Sequence, residues 1–279
     1  MLGSADAERV GELMRETAAS ELLPRFRSLA KEDIRMKRPG DVVTVADEAS
    51  EQRLAVGLAK ILPGVPIVGE EAVEQDPGLV ELIARPGEAC WVVDPLDGTA
   101  NFADGKDRFA MIVCLVQDMV TVGGWILDVP RGRMAVALKG QGVTLDGTPV
   151  RRVEPARPPI GFVGYKVKKE FDRQLPPAER RTLGRVSTLR CAGAEYLEIL
   201  SGRADFNLYR MTKPWDHAAG TLMVAEAGGE AQRFDGMPYG PAQPINGGLI
   251  TAIHPQTLAR VRTLFETVRM PLLAGLPKV

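Results

Sequence analysis

The chain is poor in several residues that would settle a function at once. It has two histidines, His217 and His254, and three cysteines, Cys90, Cys114 and Cys191. Two histidines make a His-based zinc site improbable on composition. An odd cysteine count without CxxC spacing argues against a disulfide scaffold and a zinc knuckle. Cys90 and Cys114 lie in apolar runs and read as small core residues; a reducing cytoplasm fits. Charge of one sign is missing too: 35 Lys+Arg stand against 36 Asp+Glu. That balance lacks the basic footprint of a nucleic-acid or membrane-surface protein. The longest apolar run, Phe109 to Val116, is far too short for a membrane span, and Met1 to Ser20 lacks a signal-peptide core. The expectation is a cytoplasmic protein without membrane or nucleic-acid partners.

The periodicities divide the chain in two. Apolar spacing over Ala5–Leu29 predicts a long helix bent near Pro24, and Asp47–Leu62 predicts a second. Short apolar strands follow at Val65–Val68 and Trp91–Val93, then at Phe109–Val116, Val120–Val129 and Arg133–Leu138. The Pro- and charge-rich stretch near Val153 reads as a linker. Beyond it, strands at 160–164, 186–189, 204–209, 230–233 and 248–253 alternate with helices at 175–183, 193–201, 215–227 and 255–268. The expectation is an α+β half over 1–153 and an α/β half over 154–279.

The acidic residues carry the chemistry. Glu70 follows one strand, Asp94 another, and Asp97 lies three residues further on, across Pro95. Asp216 follows Pro214-Trp215 at a helix start. Strand ends and helix starts are where α/β folds place ligand sites. Within Asp94-Pro95-Leu96-Asp97-Gly98-Thr99, two carboxylates can bracket one space, and the amides of Gly98 and Thr99 can receive phosphate at a helix N-terminus. Two carboxylates about 4 Å apart repel by roughly 4 kcal/mol at an effective dielectric near 20, so a converging set calls for cations. All-oxygen ligands select hard ions such as Mg²⁺ or Mn²⁺. Taken singly, Glu70-Glu71 or Asp216 reads as a turn or cap residue.

Gly69-Glu70-Glu71, Asp94-Pro95-Leu96-Asp97-Gly98-Thr99 and Trp215-Asp216-His217-Ala218-Ala219-Gly220, with Asp41–Asp47 before the second helix, resemble the signatures of the inositol monophosphatase family in order and separation. The resemblance covers nearly the whole chain. It implies a layered αβαβα sandwich and Mg²⁺-dependent hydrolysis of a small phosphate monoester by an activated water. It implies that Glu70, Asp94 and the Leu96 carbonyl hold one ion, and that Asp94, Asp97 and Asp216 hold a second. A third, weaker ion would lie near Glu70. Thr99 and Asp47 would help activate the water, and Gly98 and Thr99 would hold phosphate oxygens. Glu71 would support the site from behind. The family often dimerises.

Substrate choice is less plain. Family members that prefer inositol phosphates commonly carry a glutamate seven positions before the Trp-Asp aspartate; here that position is Tyr209, followed by Arg210. The family's Gly-Ser/Thr-Ala stretch is represented by Gly193-Ala194-Glu195. These five residues are the candidate substrate contacts, since Arg suits bidentate phosphate or carboxylate. A polyol or sugar phosphate ranks first. Histidinol phosphate and 3′(2′),5′-bisphosphate nucleotides are the alternatives, and a non-catalytic binding protein on the same fold is the rival of another class. His217 reads as a packing residue, Trp215 as an anchor, and Lys166, Lys168 and Lys169 as a solvated run.

Overall fold

The computed structural model describes residues 2–38, 41–151 and 157–268. Helix α1 (Ser4–Thr17) continues through a wider turn at Ala18–Leu22, so the first expected helix ends sooner than its apolar spacing suggested. A hairpin of β1 (Ile34–Arg38) and β2 (Asp41–Thr44), not expected from the sequence, feeds α2 (Val45–Ile61). Thr44 caps α2 with its side chain, accepting from Ala46 N at 3.2 Å.

A seven-stranded sheet follows in simple order: β3 (Ile67–Gly69), β4 (Ala89–Asp97), β5 (Ala110–Gln117), β6 (Val120–Asp128), β7 (Arg133–Leu138), β8 (Val143–Leu145) and β9 (Thr148–Pro149). Helices α3 (Glu70–Gln75) and α4 (Thr99–Ala103) leave the ends of β3 and β4. The β3–β4 pair is parallel and the other neighbours are antiparallel. Every residue of β5 but the last is buried, as a strand covered on both faces requires. Alternate residues of this sheet enter two cores. Trp91, Val93, Met111 and Val113 pack with Val10 and Met14 of α1 and Leu54 and Leu58 of α2. Trp125 pins that layer by donating from Nε1 to Ala7 O at 3.0 Å.

The opposite face of the sheet carries Cys90, Val92, Ile112 and Ile126. It meets α7 (Ala192–Leu200) and α8 (Pro214–Glu226) through Tyr196, Leu197, Ala218 and Ala219. The approach is close: a Cβ on Gly124 would sit 3.0 Å from Ala219 Cα. Beyond this layer lies a five-stranded sheet of β10 (Gly161–Val163), β11 (Val186–Ser187), β12 (Phe206–Tyr209), β13 (Glu230–Gln232) and β14 (Leu249–Ala252), ordered β11-β10-β12-β14-β13. Its far face, with Val163, Phe206 and Leu208, is covered by α5 (Tyr165–Gln174) and α9 (Pro255–Thr267). The layers run α, β, α, β, α, which is the sandwich that the resemblance implied.

One detail departs from expectation. The helix expected at Leu175–Leu183 lies earlier, as α5, and only the short α6 (Pro177–Arg180) falls in the expected range. Val167, Phe171 and Leu175 form its buried stripe at spacing four, and the intervening charges hid that stripe. The five-stranded sheet is mixed, since β14 runs antiparallel to both β12 and β13. The boundary expected near Val153 lies outside the described residues.

Candidate active site

The site forms where β3 and β4 end and α8 begins. Glu70 opens α3 directly after β3. Asp94 sits in β4 opposite Ile112, and the register slips between Asp94 and Asp97, so Pro95 and Leu96 bulge out of the ladder. Asp94 Oδ1 holds the bulge by accepting from Leu96 N at 3.0 Å. Gly98 then takes a left-handed conformation at φ 86°, where a Cβ would also meet Arg108 O at 2.8 Å, so only glycine fits. Asp216 lies in the first turn of α8, after Pro214.

Ligand oxygens of Glu70, Asp94 and Asp216 lie within 4.8 Å of one another. Burial raises the pKa of Asp94 well above the usual carboxylate range, with further upward pushes from Glu70, Asp97 and Asp216. Asp216 is raised too, by burial first, against the lowering effect of Lys213. A partly buried set of mutually repelling carboxylates, all oxygen, fits a hard divalent cation. Asp97 stands beside this group but is already engaged. Its Oδ2 accepts from Gly193 N at 2.6 Å and from Cys191 Sγ at 3.1 Å, which fixes the carboxylate from the start of α7.

A second cluster adjoins the first. Thr99 Oγ1 lies 2.9 Å from Asp47 Oδ1 and 2.8 Å from Leu96 O. The other oxygen of Asp47 accepts from Thr44 N at 2.8 Å and Thr44 Oγ1 at 2.6 Å. Burial raises Asp47 to a pKa of about 7, even though the Thr44 hydrogen bonds lower it. The amides of Gly98 and Thr99, which begin α4, have no intrahelical partner among the described residues, whereas Asn101 N donates to Gly98 O at 2.8 Å.

Three charged residues make long-range contacts beside the site. Lys213 Nζ pairs with Glu70 Oε1 at 2.9 Å, and Lys37 Nζ pairs with buried Glu71 at 2.6 Å. Glu51 accepts from the amides of Glu71 and Ala72, both at 2.9 Å, and so caps α3. Gly69 leaves the room for it, because a Cβ there would overlap the Glu51 carboxylate. Each of these contacts joins residues at least twenty positions apart, which no local pattern reports.

The candidate substrate residues divide. Gly193 and Ala194 are buried, with the amide of Ala194 donating to Cys191 Sγ at 3.4 Å. Glu195 is fully buried and turned inward: it accepts from Thr188 Oγ1 at 3.1 Å, Leu189 N at 2.7 Å and the Tyr209 hydroxyl. Arg210 is half-buried, and its side chain has no partner among the described residues. His217 packs in the interior between Tyr196 OH and Met211 O, each at 3.2 Å. Burial lowers its pKa to about 3, so the ring is neutral and structural.

A model of the inositol monophosphatase family matches residues 5–269. The chain belongs to the inositol monophosphatase family. It is 32% identical over 230 residues to the Nus factor SuhB of Pseudomonas aeruginosa, covering 78% of this chain and 82% of that one. It is 30% identical over 258 residues to the inositol-1-monophosphatase of Caulobacter vibrioides, covering 88% and 96%. The solved Thermotoga maritima IMPase superposes with a TM-score of 0.76 at 24% identity, over 92% of this chain and 97% of that one. Membership makes the chain a phosphoric monoester hydrolase of a metal-dependent kind. No helix among the described residues is long and apolar enough to cross a membrane.

Proposed function

We propose that this inositol monophosphatase-family member hydrolyses a small polyol or sugar phosphate monoester with Mg²⁺. The observation that carries the reading is the convergence of Glu70, Asp94 and Asp216 within 4.8 Å beside the Thr99–Asp47 pair. Glu70, Asp94 and the Leu96 carbonyl would hold one ion; Asp94, Asp97 and Asp216 would hold a second. When bound, divalent cations offset charge on the phosphoryl oxygens and leaving group and make water acidic enough to attack near neutral pH.

The chain's own groups do the remaining work. The free amides at the start of α4 orient phosphate oxygens. Thr99 positions the attacking water, and Asp47, with a pKa raised to about 7, accepts its proton near working pH. Gly193 and Cys191 hold Asp97 in one orientation, so the ligand set is rigid before substrate arrives. Arg210, half-buried and without a side-chain partner among the described residues, would receive an anionic or hydroxylated part of the substrate. Tyr209 donates its hydroxyl hydrogen bond to Glu195, so these two candidate contacts engage one another.

The test is phosphate release from inositol 1-phosphate, a sugar phosphate, histidinol phosphate and 3′-phosphoadenosine 5′-phosphate, each with Mg²⁺ and with chelator. Mg²⁺-dependent release led by the polyol or sugar phosphate supports the reading. Preference for histidinol phosphate or the nucleotide moves the substrate class, and no release from any of them, with metal bound, rejects catalysis on these esters.

A further inference from the structure

Along α7, with none of Glu70, Asp94 and Asp216 in its lining, lies a cleft of about 500 Å³ whose wall is dominated by arginine. Arg108, Arg131, Arg133, Arg185 and Arg203 line it, against two acids, Asp128 and Glu198. Five positive and two negative side chains leave an excess of three positive charges in the wall.

The two acids are already taken. Arg203 holds Glu198 in a two-point pair at 2.6 and 2.7 Å, and Arg131 sits 3.3 Å from both oxygens of Asp128. The other three arginines are less well satisfied. Arg133 reaches Glu198 only at 4.0 Å and Asp146 only at 3.8 Å, and Arg108 reaches Asp107 at 3.8 Å. Asp107 and Asp146 are half or more exposed, so water screens them. Arg185 has no side-chain partner among the described residues. Guanidinium groups that face one cavity and outnumber its acids repel one another, and planar forks of this kind bind phosphate or carboxylate oxygens two at a time. The volume is that of a small-molecule site.

We propose that this cleft is a second binding site, for a small molecule carrying at least two phosphate or carboxylate groups, separate from the hydrolytic centre. Its wall touches the catalytic scaffold. Ala194 and Leu189 line the cleft, while the neighbouring Gly193 amide holds Asp97 and the Leu189 amide holds Glu195. Occupancy therefore bears on the segment that orients a candidate metal ligand.

The probe is methylenediphosphonate, which resists hydrolysis, titrated calorimetrically into chelator-treated protein. Without metal, the carboxylate centre repels anions, so binding there is disfavoured. Saturable one-to-one binding that weakens with salt is expected. Arg185→Gln and Arg133→Gln should each weaken it at least about fivefold, the worth of roughly one charge-assisted contact. Arg185→Gln breaks no side-chain contact, so its melting midpoint should match the parent's and folding is not in question. Lys213→Met, in the other site, should leave the affinity unchanged. Absence of saturable binding up to about 1 mM, the weak end of specific recognition, overturns the proposal. So does binding that responds to Lys213→Met but not to Arg185→Gln. A sedimentation measurement closes the remaining route: a dimer dissociated by Arg185→Gln, with no anion bound, would assign the cleft to a second copy of the chain and overturn the proposal as well.

Discussion

Lys213 Nζ stands 2.9 Å from Glu70 Oε1, so the chain sets its own cation against a carboxylate of the metal-binding cluster. Burial alone would lower the lysine's pKa, but Asp216 and Glu70 outweigh it and raise it. The ammonium therefore stays charged and serves as an internal counter-ion while no metal is bound.

Lys213→Met should accordingly separate two properties. Loss of the counter-ion leaves the carboxylates repelling without compensation, and the metal-free protein should lose about 1–2 kcal/mol, given a pair less than a third exposed. The same change frees Glu70, so Mg²⁺ should bind more tightly. Thermal melts with chelator and with Mg²⁺ would show a lower metal-free midpoint and a larger rise on adding metal. A variant that melts like the parent and binds Mg²⁺ no better would show that Lys213 neither balances nor competes at this site.

Asp94→Asn tests the centre of the cluster. Asp94 is buried and its charge is opposed by Glu70, Asp97 and Asp216. An amide keeps the side-chain oxygen that accepts from Leu96 N and removes the charge. The metal-free protein should gain about 1–3 kcal/mol while kcat/KM falls by roughly a thousandfold or more, the scale of a lost catalytic charge. Denaturant melts beside a phosphate-release assay decide it; a variant that loses both stability and activity would point to a structural role instead.

Much of this was legible because it is local. Asp94-Pro95-Leu96-Asp97-Gly98-Thr99 states its own geometry: the bulge needs Pro95, the left-handed turn needs Gly98, and Thr99 starts a helix. The strand within Phe109–Val116 was legible from its apolar run, which is buried on both faces, whereas the layered sandwich was implied by the family resemblance. What was not legible depends on distant pairs. Glu51 caps a helix twenty residues away, and Lys37 reaches Glu71 from a hairpin. The helix at Tyr165–Gln174 was displaced in the reading because Lys166, Lys168 and Lys169 mask its three-residue apolar stripe. Glu195 was expected in the substrate pocket, whereas its carboxylate accepts hydrogen bonds from the chain itself; a glutamate's exposure is set by its neighbours and not by its type.

Asp47→Asn addresses the proton acceptor. The amide can still accept from Thr44 through its oxygen while presenting its nitrogen to the Thr99 hydroxyl, so the fold should survive. The parent's kcat/KM should rise with pH as Asp47 ionises, at or below its metal-free value of about 7, because nearby cations favour the charged form. The variant should lose roughly a hundred- to ten-thousandfold and show no such limb. A pH–rate profile with an unchanged acid limb in Asp47→Asn would assign the proton to another group.

Glu195 gives a stability signature independent of catalysis. Burial raises its pKa from 4.5 to about 7, although Tyr209, Leu189 and Thr188 all donate to it and lower it. The native state therefore holds a proton between pH 4.5 and 7 that the unfolded chain has released. The sign follows from linkage: stability from this group is fully present below about pH 4.5 and is lost as pH rises through about 7. Glu195→Gln cannot ionise and escapes that loss. It should match the parent near pH 4.5 and exceed it at pH 8 by on the order of 3 kcal/mol. Tyr209→Phe should move the other way: it removes a donor that favours the carboxylate, so the parent's loss with rising pH deepens. Melting midpoints of the three proteins from pH 4.5 to 8 test both directions together. Parallel curves at all pH values would mean that the Glu195 carboxylate is solvated in solution, and would return it to the substrate-facing role first expected of it.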